Sequence, residues 1–339
     1  MRSATRTVGC CVLSIALAGC SRPDPFAFVP KDPSPSEHLL PQEPWAPRAL
    51  PMFSGRDGRV VTWADLMDAV ASSDVVVLGE QHDDANGHAV ELAVLENVLA
   101  TYPGSVLALE MLERDEQAAV DALLAGELSE SEFIERTGSA RWSGAQSWEE
   151  SYGRLVECAR RHDAAVVAAN APREYVRLAG REGYESLRAL PAEQQASFDL
   201  PSSLDDGAYR ARLRQLMTDA RAARGEGPPS EEEVEAVLRP QMTWDATMAA
   251  SVARALDRRP NGVAKVVLVV GQFHSDFDGG TVLEIARRAP FARILTISLV
   301  PEPFRSLRGE DRRRADIVVS TRTAPATVAE PTATTDGAS

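Results

Sequence analysis

Val75-Val-Val-Leu-Gly-Glu-Gln-His-Asp-Asp-Ala-Asn-Gly-His88 decides how this chain folds. Four apolar residues, Val75 to Leu78, predict a buried strand, and Gly79 predicts its end. Glu80, Gln81, His82, Asp83 and Asp84 then crowd one turn. From His88 onward the apolar spacing becomes helical, through Val90, Leu92, Val94, Leu95, Val98 and Leu99. Strand, polar turn, helix is the unit that builds ligand sites just past the carboxyl ends of parallel strands. A second copy of the pattern lies at Val266-Val-Leu-Val-Val-Gly-Gln-Phe-His274. Both copies read as an apolar strand followed by Gly-x-x-His.

Outward from this stretch, other strands alternate with helices. Val106-Leu-Ala-Leu-Glu110 predicts a strand ending in a carboxylate. Residues 164–169 predict another, ending at Asn170-Ala-Pro-Arg173 with Pro172 in the first turn of the next helix. Val60-Val61 and residues 294–300 are further strands, and residues 316–320 a last edge strand. Thr62 is the expected cap of a helix over 63–71. Helices are also expected over 115–124, 129–136, 147–162 and 280–288. Residues 182–258 show no strand pattern and predict a helical insertion, with Pro240 breaking one helix and another resuming at Thr243. Strands that are almost continuously apolar argue for an α/β fold: a mostly parallel sheet flanked by helices.

The ends of the chain differ in composition. Arg2 and Arg6, a short apolar run and Leu17-Ala18-Gly19-Cys20 predict a secretory signal over residues 1–19. The run is too short for a membrane span, which needs ~20 apolar residues. Leu-Ala-Gly-Cys also matches a bacterial lipobox, with Cys20 lipidated. Ser21 rather than Asp after it points to the outer membrane of the cell envelope. Residues 20–57 are rich in proline and read as a tether. The domain is expected over 58–321, and residues 322–339, rich in Ala, Thr and Pro, as a disordered tail.

Without the signal the chain carries 34 basic and 50 acidic side chains. Its one basic run, Arg312-Arg313-Arg314, is flanked by Glu310, Asp311 and Asp316, so a basic face for nucleic acid is not expected. Of the four cysteines, only Cys158 remains past the lipobox, which excludes an intramolecular disulfide and suits a small buried residue.

Parallel strands would bring four polar sets to one edge of the sheet: Glu80, His82 and Asp83; Glu110; Asn170 and Arg173; Gln272, His274, Ser275 and Asp276. Two imidazoles and a carboxylate, His82, His274 and Glu110, suit a divalent transition metal. Such an ion activates water for hydrolysis, with Glu80 or Glu110 as ligand or general base. Without a metal, His82 and His274 could act as base and acid. Arg173 could neutralise an anionic ligand. His88 could face the site or serve as a helix cap, and Asn170 and Gln272 could contact a bound cofactor. His162, at a helix end, reads as structural, and Trp142, Trp148 and Tyr152 as core or lid. Gly-x-Ser-x-Gly and phosphate-loop motifs are absent from the sequence.

Leu78-Gly-Glu-Gln-His-Asp-Asp84 with His88, Ala108-Leu-Glu-Met111, Asn170-Ala-Pro-Arg173, Gln241-Met-Thr-Trp-Asp-Ala-Thr-Met248 and Gly271-Gln-Phe-His-Ser-Asp276 together resemble the ChaN-like haem-binding uptake lipoproteins of the Tiki superfamily. The match runs in order from about Trp63 to Thr321. The resemblance implies an α/β core with a helical subdomain and a role in haem or iron handling. Its haem-binding members place a tyrosine on the iron, with two haems facing each other across a homodimer. Tyr102, Tyr152, Tyr175, Tyr184 and Tyr209 are this chain's tyrosines. Tiki-like members are metal-dependent proteases whose motif falls on His82, Glu110 and His274. Two functions are therefore expected: a lipid-anchored binder of haem or metal, or a metal-dependent hydrolase acting on a peptide or small molecule.

Overall fold

The computed structural model describes residues 46–142, 147–203 and 207–323. The expected signal, Cys20, most of the tether, and the tail from 324 lie outside the described residues.

The chain enters through a short hairpin, β1 (Met52–Ser54) and β2 (Val60–Val61). Thr62 caps α1 (Trp63–Ala71) as expected: its hydroxyl accepts from the Asp65 N–H, and the Asp65 carboxylate accepts from the Thr62 N–H. β3 (Val75–Glu80) is buried at every position. A four-residue polar turn separates it from α2 (Ala85–Thr101). β4 (Val106–Glu113) leads to α3 (Gln117–Leu124), α4 (Glu130–Thr137) and α5 (Tyr152–Arg161), and then to β5 (Val166–Asn170). Between β5 and the next strand the described elements are all helical. They are α6 (Arg173–Glu182), α7 (Tyr184–Arg188), α8 (Ala192–Gln195), α9 (Gly207–Ala222) and α10 (Glu231–Asp257). β6 (Val266–Gly271) runs directly into a single helical turn, α11 (Gln272–Ser275). α12 (Gly280–Arg288), β7 (Ile294–Val300) and β8 (Ile317–Ser320) complete the fold.

The strands form one sheet in the order β2-β1-β8-β7-β3-β6-β4-β5. From β8 to β5 all neighbours are parallel; β1 runs antiparallel to both β8 and β2. This is the mostly parallel sheet that the apolar runs imply. Val76, Leu78, Leu107, Leu109, Val267 and Val269 share a core with Leu66, Val90, Val94, Val98 and Leu155 from α1, α2 and α5. Alternate strand residues face the opposite side. There α10 packs along β5 and against α6 and α12.

Three expectations need correction. Pro240 does not break a helix, since α10 runs unbroken past it. Proline cannot donate to the carbonyl four residues back. That carbonyl, Ala236 O, lies where α6 comes close, 2.9 Å from the position of a Cβ on Gly180. The Arg239 guanidinium also donates to Ala179 O and Gly180 O, binding the two helices together. Packing of α10 against α6 thus holds the helix continuous through the proline. β8 is not an edge strand: it lies between β7 and β1, because the amino-terminal hairpin covers its far side. β4 continues three residues beyond Glu110, with an irregular register against β5 between Leu109 and Glu113. Smaller shifts occur at helix ends: α2 starts at Ala85, α5 only at Tyr152, and Pro172 is the N-cap of α6 rather than a helical residue.

Candidate functional site

The order of strands creates the site. β6 lies between β3 and β4, so the carboxyl ends of all three are neighbours. Glu80 is level with Gly271, and Leu109 with Val269. Glu110, one residue on, reaches across and accepts from the Gly271 N–H at 2.5 Å. A methyl group on Gly271 would stand 3.4 Å from Glu110 Oε2 and 3.5 Å from His82 Nε2. Glu110 and His82 therefore flank one glycine. His274, carried back by the turn of α11, sets its Nε2 3.6 Å from Glu110 Oε1. His82, Glu110 and His274 are brought together, with the carboxylate between the two rings.

Each ring is held from behind by a second carboxylate. His82 Nδ1 lies 2.8 Å from Glu80 Oε1. The Tyr152 hydroxyl, from α5, donates to the same oxygen at 2.6 Å. His274 Nδ1 lies 2.7 Å from Asp245 Oδ1, and the Thr281 hydroxyl donates to that oxygen at 2.6 Å. A carboxylate can only accept, so Nδ1 carries the proton in both rings and Nε2 is turned towards Glu110. Burial pulls the His82 imidazole down, but the Glu80 hydrogen bond and the charges of Glu80, Glu110 and Glu91 outweigh it and raise it to about 9. The His274 ring is raised too, with the Asp245 and Glu110 charges overcoming its burial. His82 remains 30% exposed, whereas Glu110, His274 and Asp245 are buried. Trp142 meets the His82 ring edge-on at 5.3 Å, and the Arg173 guanidinium lies 4.7 Å from the Trp142 ring.

His88 does not cap α2. It is buried beneath the turn, its Nδ1 3.2 Å from Glu80 Oε2 and 3.0 Å from Glu91 Oε2. Burial drives the Glu91 carboxyl up to about 8, against the opposing hydrogen bond from Glu80. Glu80 is raised as well, first by burial and then by the Glu91 charge. Among the described residues, Glu80, His88 and Glu91 present donor atoms all within 4.8 Å of one another. His82, Glu110 and His274 do not close to that spacing. The expected metal ligands thus face one another more widely than a single small ion requires, with ligand bonds of ~2 Å.

Other expected site residues have internal partners. The Asn170 side chain donates to Glu110 O at 2.9 Å and accepts from the Ala171 N–H at 2.9 Å, which steadies β4 where Glu110 projects. The Gln272 amide accepts from Gln81 and donates to Ser298 Oγ and Leu299 O, joining the ends of β3, β6 and β7. Arg173 pairs with Glu113 at 3.4 Å. Asp83 is exposed; Asp276 pairs with Arg314 at 2.6 Å. Ser275 packs against Gly79, where a side chain would collide with its hydroxyl. His162 is the exposed C-cap of α5. Cys158 is buried in the core, where burial pushes its thiol up to about 11.

Sequence reasoning missed Asp245 and Glu91, and placed Tyr152 only in the core or a lid. Tyr152 is a core residue, packed beside Trp148, and also a site residue through its hydroxyl. Glu91 carries a readable signal, three residues after His88 on one helix face. Asp245 lies inside the quoted Gln241–Met248 stretch, but nothing local ties it to a strand end.

Comparisons with known proteins agree with this architecture. A family model described as haem-binding uptake, Tiki superfamily, ChaN matches residues 66–285. No curated protein matches the sequence. Among solved structures, ChaN of Campylobacter jejuni, described with cofacial haem, is similar at a TM-score of 0.58 and 18% identity, over 80% of this chain and 96% of that one. The erythromycin esterase EreC in its open conformation gives 0.40 and 13%, over 81% and 83%. The type III effector HopBA1 gives 0.43 and 12%, over 77% and 92%. The first of these likenesses supports the fold; the other two are too weak to argue from.

Proposed function

Because the chain belongs to the haem-binding uptake family of the Tiki superfamily, ChaN, we propose that it is a cell-envelope lipoprotein that takes up haem or its iron at the carboxyl edge of the sheet. One observation favours this place over others. His82 is a partly exposed imidazole, fixed from behind by Glu80, with an indole and a guanidinium beside it. A planar, largely apolar, anionic ligand calls for an aromatic wall, a cation and an axial donor, and His82, Trp142 and Arg173 are of those types. Tyr152 does not fit the role of iron ligand. Its hydroxyl donates to Glu80, and burial together with the Glu80 charge holds it far above the ordinary phenol range. Haem, when bound, supplies the iron; the chain supplies the donor, the wall and the charge.

Haemin titration of the soluble chain, residues 21–339, tests this. A shifted Soret band is expected, lost in His82→Ala and weakened in Trp142→Ala. Two copies closing on a pair of haems, as the family resemblance implies, would also raise the apparent size on gel filtration. A spectrum identical to free haemin would overturn the reading.

The proposed membrane attachment is lipid on Cys20 of Leu17-Ala18-Gly19-Cys20. Cys20→Ala is expected to accumulate as unlipidated precursor in the envelope, read by palmitate labelling. Labelling equal to the parent would rule the anchor out.

A second reading, a hydrolase, is favoured by the two carboxylate-backed rings on either side of Glu110. His82 and His274 are placed to hold and pass protons at Nε2, a contribution of typically 10²–10⁴-fold to rate. Peptide or ester hydrolysis that vanishes in His274→Ala while haemin binding persists would select it.

A further inference from the structure

We propose that Glu80, His88 and Glu91 form a separate, buried site for one small divalent cation beneath the strand-end pocket. The three side chains are sealed from solvent. His88 Nε2 faces the backbone oxygen of His82 at 3.3 Å. With an ion bound, Nε2 would donate to that carbonyl and Nδ1 would turn its lone pair towards the ion. A metal-bound histidine is held in this way, with its far N–H on a carbonyl or carboxylate.

Two carboxylates and an imidazole nitrogen meet in a buried place, which is costly unless a proton or a cation lies between them. The described ion pairs give neither carboxylate an arginine or lysine. No donor from the backbone or another side chain reaches Glu80 Oε2 or Glu91 Oε1, which leaves the two carboxyls to share a proton or an ion. The spacing suits an ion. Ligand bonds of ~2.0–2.2 Å place adjacent donors about 2.8–3.6 Å apart in an octahedral or tetrahedral shell, and the pairs here measure 3.2 and 3.0 Å. One imidazole and two carboxylates select borderline ions such as Zn²⁺, Mn²⁺ or Fe²⁺. Glu80 joins the two centres, with Oε1 on His82 and Oε2 on the cation site, so a bound ion also fixes the carboxylate that orients His82. The proposal does not depend on haem binding.

The intact soluble chain, expressed in zinc- and manganese-replete medium and dialysed against chelator, carries the test. Metal analysis is expected to find about one ion per folded chain, slow to leave because the site is buried. Glu91→Gln, an isosteric change, is expected to lose it, and His274→Ala to keep it. An empty parent chain, equal metal in the parent and Glu91→Gln, or loss of the ion from folded His274→Ala would each overturn the proposal. The parent chain supplies a second measurement that needs no variant. Refolded with Zn²⁺ or Mn²⁺, it is expected to melt several degrees above the same chain refolded with chelator. Superimposable melting curves would mean that a shared proton, not a cation, holds the cluster.

Discussion

The Asp245→Ala chain is expected to be about 3–5 kcal/mol less stable than the parent, the usual loss when one partner of a buried ion pair is removed. Asp245 and His274 are both buried, and their 2.7 Å contact joins α10 to the turn after β6. Thr281, at the start of α12, donates to the same carboxylate oxygen. Truncation strands the imidazole and the hydroxyl together. Asp245→Asn keeps the shape but removes the charge that raises the His274 ring. Its imidazole should then titrate lower. Urea denaturation reads the first effect and NMR titration of the ring the second. A loss below about 1 kcal/mol, with an unmoved titration, would mean that Asp245 neither anchors nor charges His274.

Metal-free protein is expected to be most stable near pH 4 and to weaken steadily towards pH 9. The sign follows from groups whose folded values lie above their ordinary ones. Glu91 is raised to about 8 and His82 to about 9. Between the ordinary value and the raised one the folded chain holds a proton that the unfolded chain has released, so stability falls as pH rises. The Glu91 window runs from about 4.5 to 8, and the His82 window from about 6.5 to 9. Asp276, at about 6, and Glu116, at about 7, both raised first by burial, add in the same direction at the acid end. Glu80, His82 and Glu91 form one network, so their protons leave as a set. The loss across the range is on the order of several kcal/mol, since one unit is ~1.4 kcal/mol. Below about pH 4 the trend reverses. Asp74 is held well below the usual carboxylate range, first by its Arg293 hydrogen bond, and the stability it contributes is lost as acid protonates it. Denaturation in chelator from pH 5 to 9 checks the profile. A flat curve between pH 6 and 9 would contradict the buried network.

Local pattern carried much of the fold. Val75–Leu78 and Val266–Val270 are buried strands because apolar runs that short, ended by Gly and polar residues, leave few alternatives. Thr62 with Asp65 marks a helix start through a hydrogen-bond exchange that needs no tertiary help. Pro240 shows where local reading fails. A proline costs a helix one hydrogen bond, and here tight packing on α6, at Gly180 and through the Arg239 guanidinium, keeps α10 continuous. β8 fails similarly: whether a strand is an edge depends on what pairs beyond it, and residues 52–54 are remote in the chain.

By itself the sequence determined the two Gly-x-x-His turns, the Glu110 strand, the parallel class of sheet and therefore a polar cluster at its carboxyl edge. Each follows from residues within one strand and its turn, where side-chain period and burial are local properties. Only the tertiary structure decided that β6 enters between β3 and β4, which sets Glu110 between His82 and His274. It also decided that Asp245 from α10 holds the His274 ring, that Tyr152 from α5 holds Glu80, the partner of His82, and that His88 turns inward to Glu80 and Glu91. Strand order and helix docking arise from the packing of whole apolar faces, summed over many distant contacts, so no short window of sequence encodes them.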